Sequence, residues 1–172
     1  RLTDFYKIQG FSDAVIKVDT SYEPKGVYLK VVVEEGKRYY VGEITTEGNL
    51  DVSTEDILKA IALKTDSIFS EQAVYYDASK IRELYVDRGY IFSQIEPHSV
   101  LNPQTQKVDL TFTIIENQIA YVEDVEVRGN IKTKDKVARR EIRIYPGDKF
   151  DGKKVRKTGC ASRGHRRRNY CG

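Results

Sequence analysis

The chain repeats itself, and the spacing of the repeat limits what it can fold into more than any local pattern does. Residues Val27 to Val74, set against Val108 to Val155 at a constant offset of 81 without gaps, superimpose Tyr40-Val41 on Tyr121-Val122 and Gly48-Asn49 on Gly129-Asn130. In the same register Ile61 falls on Ile142, Phe69 on Phe150 and Val74 on Val155. Upstream, Leu2, Phe5, Tyr6, Gly10 and Phe11 fall on Ile81, Leu84, Tyr85, Gly89 and Tyr90 at an offset of 79, and the two-residue slip lies in the loop around Asn102. Self-similarity at a fixed spacing marks one supersecondary unit used in tandem. Three copies are visible in the 172 residues, and the middle one alone is complete.

Periodicity assigns the elements of the middle copy. Tyr40 to Thr46 is strand-like and stops at Gly48-Asn49, residues that tolerate the positive φ of a sharp turn. Ser53 with Asp56 three residues on predicts a capped first helix with Ile57, Leu58 and Ile61 on its apolar side. Ser70 is expected to cap a longer helix whose buried stripe is Val74, Ala78, Ile81, Leu84 and Tyr85, ended by Gly89 in a left-handed conformation. Tyr90 to Val100 and Val108 to Glu116 then flank the turn signal Asn102-Pro103 and pair as an antiparallel hairpin. The order β-α-α-β-β gives an α+β unit, a small sheet covered on one face by two helices. Its two edge strands leave N–H and C=O groups free to add a strand from another polypeptide.

Charge and chemistry exclude more than they assign. The formal charge of +3 comes from 29 Lys/Arg against 26 Asp/Glu, but six of the basic residues and none of the acidic ones lie at 156–172. The body is therefore mildly acidic, at −3, and the basic balance belongs to the tail. Both cysteines, Cys160 and Cys171, are also in the tail. The body's one imidazole, His98, stands alone beside Pro97 and reads as a surface loop residue rather than a metal ligand or general base. No Gly-rich phosphate loop, nucleophile elbow or paired catalytic carboxylate is visible, so no enzyme is expected. Glu34-Glu35 and Glu116 read as solubilising strand ends. No cofactor is called for. No apolar run is long enough for a membrane-spanning helix, and a chain that opens on Arg1 with no methionine reads as an excised piece.

The segment Tyr39-Tyr40-Val41-Gly42-Glu43-Ile44, the Gly48-Asn49 pair, Arg88-Gly89-Tyr90 and Gly147-Asp148-Lys149-Phe150 resemble the POTRA domain, the polypeptide-transport-associated module of outer-membrane β-barrel assembly factors. The last copy, from Tyr121-Val122 through Gly129-Asn130 to Ile142-Arg143, looks like the module nearest the barrel in the BamA family. In that register residues 1–35 resemble the end of a third module, 36–117 a complete fourth and 118–157 the first half of a fifth. The fold implied is a tandem array of modules, each a three-stranded mixed sheet covered by two helices. The role implied is a periplasmic scaffold without catalysis, the soluble part of an outer-membrane protein anchored by a C-terminal β-barrel that this chain lacks. It would receive unfolded outer-membrane proteins and dock accessory lipoproteins.

Edge-strand recognition is expected at Ile16 and Val18 in the first copy and at Tyr90, Phe92, Gln94 and Glu96 in the middle one. The bland reading of the same strands is a solvated rim blunted by Lys17, Asp19 and Glu96. Arg139 and Arg140, on the first helix of the last copy, are candidates for docking an acidic accessory partner, although exposed charge generally contributes little. A POTRA region of a two-partner secretion or autotransporter-assembly protein is the nearest alternative. A nucleic-acid-binding protein acting through the basic C-terminal tail is a rival of another class, and no nucleic acid is expected as a partner of the body. Residues 158–172 offer Ser162, His165 and Arg166 where the repeat demands apolar residues, so this tail is read as non-native or disordered. A metal cluster of Cys160, His165 and Cys171 is a weak alternative at that irregular spacing.

Overall fold

The computed structural model describes residues 2–24, 26–128 and 135–161. Ten elements follow in order: α1 (Leu2–Ile8), β1 (Val15–Glu23), β2 (Gly26–Glu34), β3 (Tyr40–Glu47), α2 (Thr54–Ala60), α3 (Glu71–Asp87), β4 (Gln94–Asn102), β5 (Lys107–Ile115), α4 (Asp135–Glu141) and α5 (Gly152–Ala161). The repeat read from the sequence reappears in these bounds. β1 maps onto β4 at the offset of 79, and β2 onto β5 and α2 onto α4 at 81, each end to end. The starts of α3 and α5 obey the same offset.

The middle copy is a three-stranded mixed sheet of order β3-β5-β4, with β3 parallel and β4 antiparallel to the central β5. Every second residue of β5, namely Val108, Leu110, Phe112 and Ile114, is buried, the period-two signature of a strand with one covered face. The cover is α2 and α3, which bring Ile57, Val74, Ala78, Ile81 and Tyr85 into the same core. Ser53 caps α2 as its spacing predicts, its Oγ accepting the Asp56 N–H at 3.2 Å. Asn102 Oδ1 accepts the N–H groups of Gln104 and Thr105, which sets the turn between β4 and β5.

Several expectations need correction. β4 starts at Gln94, four residues later than the hydrophobic pattern suggests, because Tyr90 is 9% exposed and belongs to the core against Tyr85. β1 correspondingly starts at Val15. His98 lies within β4, opposite Thr111, and not in a loop. Ser70 occupies the N-cap position of α3 but makes no capping hydrogen bond through its side chain. Helix α5 runs to Ala161; residues 162–172, with His165, Cys171 and the arginine run, lie outside the described residues. Finally, the counterpart of β3 in the third copy forms a single bridge, Tyr121 to Lys149, and no ladder. The physical reason is that β3 holds its extended form by parallel pairing with β5, and the described residues of the third copy include no counterpart of β5.

The copies are joined by one device used twice. Gly10, at φ +92°, and Gly89, at φ +94°, each turn the chain out of a helix in a conformation that favours glycine. The Gly10 carbonyl accepts the Tyr39 N–H at 2.8 Å, and the Gly89 carbonyl accepts the Ala120 N–H at 2.9 Å. The next residue is aromatic in both cases, Phe11 or Tyr90, and packs edge-on against Tyr6 or Tyr85. A cation from the following copy covers its ring, Arg38 over Phe11 at 5.6 Å and Lys149 over Tyr90 at 5.7 Å.

Candidate functional site

β4 is an edge of the middle sheet: its partner on one side is β5, and no strand lies beyond it among the described residues. An edge strand keeps alternate main-chain donors and acceptors directed outward. Beside it, between β4 and α3, runs a cleft of about 570 Å3 lined by Ala78, Ser79, Arg82, Phe92, Ser93 and Glu96. Phe92 is 62% exposed at its mouth, with its carbonyl fixed by the Asn117 side-chain amide at 2.9 Å. Ser93 Oγ is the one buried side-chain polar atom without a hydrogen-bond partner among the described residues. A buried hydroxyl facing a cleft gains by meeting a polar guest. The cleft thus combines an apolar ring, an unsatisfied hydroxyl and a free backbone rim, a chemistry suited to an extended peptide.

Of the residues singled out in the sequence, Phe92, Gln94 and Glu96 come together here, all exposed. Tyr90 does not, since its ring is in the core. Pro97 in mid-strand was not singled out, and it matters because proline is tolerated inside a sheet where its missing N–H would have faced solvent. The β4 rim therefore lacks one donor at its centre. In the first copy Val18 occupies the matching position opposite Val31, and it carries an N–H. Val18 is well exposed, Ile16 is half-buried, and Lys17 pairs with Glu34 at 2.9 Å on the same hairpin.

Arg139 and Arg140 are both exposed on α4. Arg139 donates to the Val125 carbonyl at 3.4 Å, and Arg140 lies 3.9 Å from the neighbouring Glu141 carboxylate. Arg139 is thus already engaged with segment 121–128 of its own copy, while Arg140 makes, among the described residues, a long, solvated ion pair. On α3, Lys80 and Glu83 pair at 3.1 Å, and that hydrogen bond holds the Lys80 ammonium above and the Glu83 carboxyl below their usual ranges. Among the described residues no cluster of His, Cys, Asp or Glu has the makings of a metal site.

A family model described as POTRA, surface antigen variable number repeat, matches residues 39–117 and again 120–159. The chain belongs to the POTRA family. Its sequence is 34% identical over 164 residues to the outer membrane protein assembly factor BamA of Nitratidesulfovibrio vulgaris, covering 91% of this chain and 20% of that protein. It is 27% identical over 162 residues to BamA of Neisseria meningitidis serogroup B, covering 92% of this chain and 20% of that one. The chain spans about a fifth of the length of these relatives. The crystal structure of Haemophilus influenzae BamA POTRA3-5 shares the fold, with a TM-score of 0.69 at 20% identity over 94% of this chain and 66% of that one. BamA of Haemophilus ducreyi lacking POTRA domains 1-3 gives a TM-score of 0.53 at 17% identity, over 70% of this chain and 22% of that structure. The mixed sheet with two covering helices is thus a POTRA module, and no helix among the described residues is long and apolar enough to cross a membrane.

Proposed function

We propose that this chain is the POTRA region of an outer-membrane β-barrel assembly factor, a periplasmic scaffold in which residues 1–35 end one module, 36–117 form the next and 118–157 begin a third. Its work is to receive unfolded outer-membrane proteins by strand addition along the free edges β1 and β4. The observation that carries this reading is the edge strand β4 lying open beside the α3 cleft, with Phe92 and Ser93 facing a guest. Main-chain pairing is tolerant of sequence, so such an edge takes many extended segments weakly, as a handover site without ATP requires. Gln94 and Glu96 add polar side chains beside the rim, and Ile16 and Val18 do the same with apolar ones in the first copy.

Arg139 and Arg140 are assigned to docking an acidic accessory lipoprotein, with Arg140 the freer of the two. The test of the main assignment is site-specific crosslinking. Photoreactive residues at Phe92, Gln94 and Glu96 should capture an unfolded outer-membrane protein more than the same residue at Tyr75 or Lys59 on the exposed helix faces. Equal capture at all five positions would remove strand addition as the mechanism while leaving the family assignment intact.

A further inference from the structure

The two faces of the middle sheet meet the β4 rim with unlike chemistry. On the open face the strand register builds cross-strand rows that are polar throughout, Glu47 beside Thr113 beside Glu96, and Thr45 beside Thr111 beside His98. The Thr45 and Thr111 hydroxyls join at 2.9 Å, and Glu47, Thr45, Glu96 and His98 are exposed. On the helix face the rows are mostly apolar: Ile44 beside Leu110 beside Ser99, Thr46 beside Phe112 beside Pro97, and Ile114 beside Ile95. That face continues past β4 into the cleft against α3, whose lining includes Ala78, Ile91, Phe92 and Ile95. Alternate residues of β4 divide between the two sides, and their burial follows, with Gln94, Glu96 and His98 exposed and Ile95 and Pro97 half-buried.

A strand added to the rim extends each row by one residue, and cross-strand neighbours on one face are the unit of sheet stabilisation. We propose, resting on the assignment of β4 as a guest-binding edge, that the rim selects guests whose side chains alternate apolar and polar. It seats them in one orientation, with apolar side chains in the α3 cleft and polar ones beside Glu96 and His98. A transmembrane barrel strand has this alternation by necessity, since one side faces lipid and the other the lumen. A slip of one residue would carry every apolar side chain to the polar face, so the two-sided rim also fixes the register of its guest. A polar or unpatterned segment can pair its backbone with β4 but gains nothing from the cleft. The rim thus favours barrel strands over the loops that join them without reading any particular sequence.

Two labelled peptides of about ten residues and identical composition test this, one strictly alternating and one with its apolar residues in a single block. Fluorescence anisotropy with the 172-residue chain should give the alternating peptide about tenfold higher affinity, because several favourable cross-strand pairs are at stake. Photoreactive residues at Ser79 on α3 and at His98 on the open face should capture different positions of that peptide, Ser79 its apolar set and His98 its polar set. Combining Glu96→Leu with His98→Leu should shrink the preference, since both sides then accept apolar side chains. Equal affinities for the two peptides, the same peptide positions captured from Ser79 and His98, or a preference unchanged in the double variant each overturn the proposal, while capture at Gln94 would keep strand addition standing. Capture of neither peptide at Gln94 overturns both.

Discussion

The Tyr85 hydroxyl donates to Glu116 Oε1 at 3.0 Å, and the same carboxylate oxygen accepts the backbone N–H groups of Leu50 and Asp51 at 2.7 and 2.9 Å. One side chain at the end of β5 thereby holds the long helix and the turn after β3 together. The turn is tight at that point: a Cβ on Gly48, which has φ +79°, would collide with the Ile114 carbonyl oxygen. Removing the acceptor takes one shared partner from three donors, the buried Tyr85 hydroxyl among them. Glu116→Ala is expected to cost about 2–3 kcal/mol, and Glu116→Gln less, because it keeps one carbonyl oxygen. Urea unfolding followed by tyrosine fluorescence measures both.

Tyr85 also makes stability depend on alkaline pH. Burial first, and then its hydrogen bond to the Glu116 carboxylate, raise the phenol well above the ordinary 10.0. A raised folded value means the native state holds its proton after the unfolded chain has lost it. Stability is then fully present below pH 10 and falls as pH rises beyond it. Tyr39, raised chiefly by its hydrogen bond to Asp13, and Tyr90, raised chiefly by burial, act in the same direction. Urea midpoints from pH 7 to 11 should be flat and then decline. Tyr85→Phe should start lower and decline less steeply, and an equally steep decline would remove Tyr85 as its source.

The repeat made the modules legible, because Gly10 and Gly89 or Phe69 and Phe150 keep identity or type where geometry demands it. Main-chain and carboxylate contacts were not legible. Glu116 looks like any acidic strand end, and nothing local shows that the Leu50 and Asp51 amides converge on it across 66 and 65 residues. Tyr90 opens the run that periodicity reads as a strand, yet the helix stop at Gly89 turns its ring back onto Tyr85. Likewise 121–128 has the composition of β3 but lacks the neighbour that makes β3 a strand. Of the candidate site, its exposed edge followed from the element order, while the cleft against α3 required knowing which faces of α3 and β4 meet.

Asp77 is the clearest residue that pattern reading missed. It lies fully buried in the apolar stripe of α3, and its two carboxylate oxygens accept the Ala62 and Leu63 N–H groups at 2.8 and 2.9 Å. It thus ties the exit of α2 to α3, a charge-assisted pair away from water. Asp77→Ala leaves two amides unsatisfied and is expected to cost about 3 kcal/mol. Asp77→Asn should cost roughly half of that, since it retains one acceptor. Thermal unfolding of the two variants gives the order.

The joints between copies are sensitive at a single atom. A Cβ on Gly89 would approach the Phe150 carbonyl oxygen at 3.0 Å and Lys149 Cε at 2.8 Å; on Gly10 it would meet Ile68 Cγ2 at 2.8 Å and the Tyr39 carbonyl oxygen at 3.1 Å. With the unfavourable φ added, each alanine should cost about 1–2 kcal/mol. The loss should be local. Hydrogen exchange at Ala120 and Phe150 should speed up in Gly89→Ala, and at Tyr39 and Phe69 in Gly10→Ala, with Leu110 protected in both.

Pro97 and Val18 hold the same place on equivalent edge strands, and they should set which edge takes a guest. Proline persists in β4 because the position faces away from β5, so the guest-facing rim is one donor short at its centre. By the matching register of β1 and β2, the Val18 N–H faces away from Val31 and is free to pair. A main-chain hydrogen bond contributes about 1 kcal/mol net, or roughly fivefold in affinity. Val18→Pro should therefore reduce strand capture at β1 about fivefold without unfolding the hairpin, since β4 already accommodates proline there. Pro97→Val should raise capture at β4 by a similar factor. Crosslinking yields at Ile16 and Gln94 with one extended peptide, compared across the two variants, measure the effect. Unchanged yields at both positions would mean that guests touch the side chains of these strands and do not pair with their backbone.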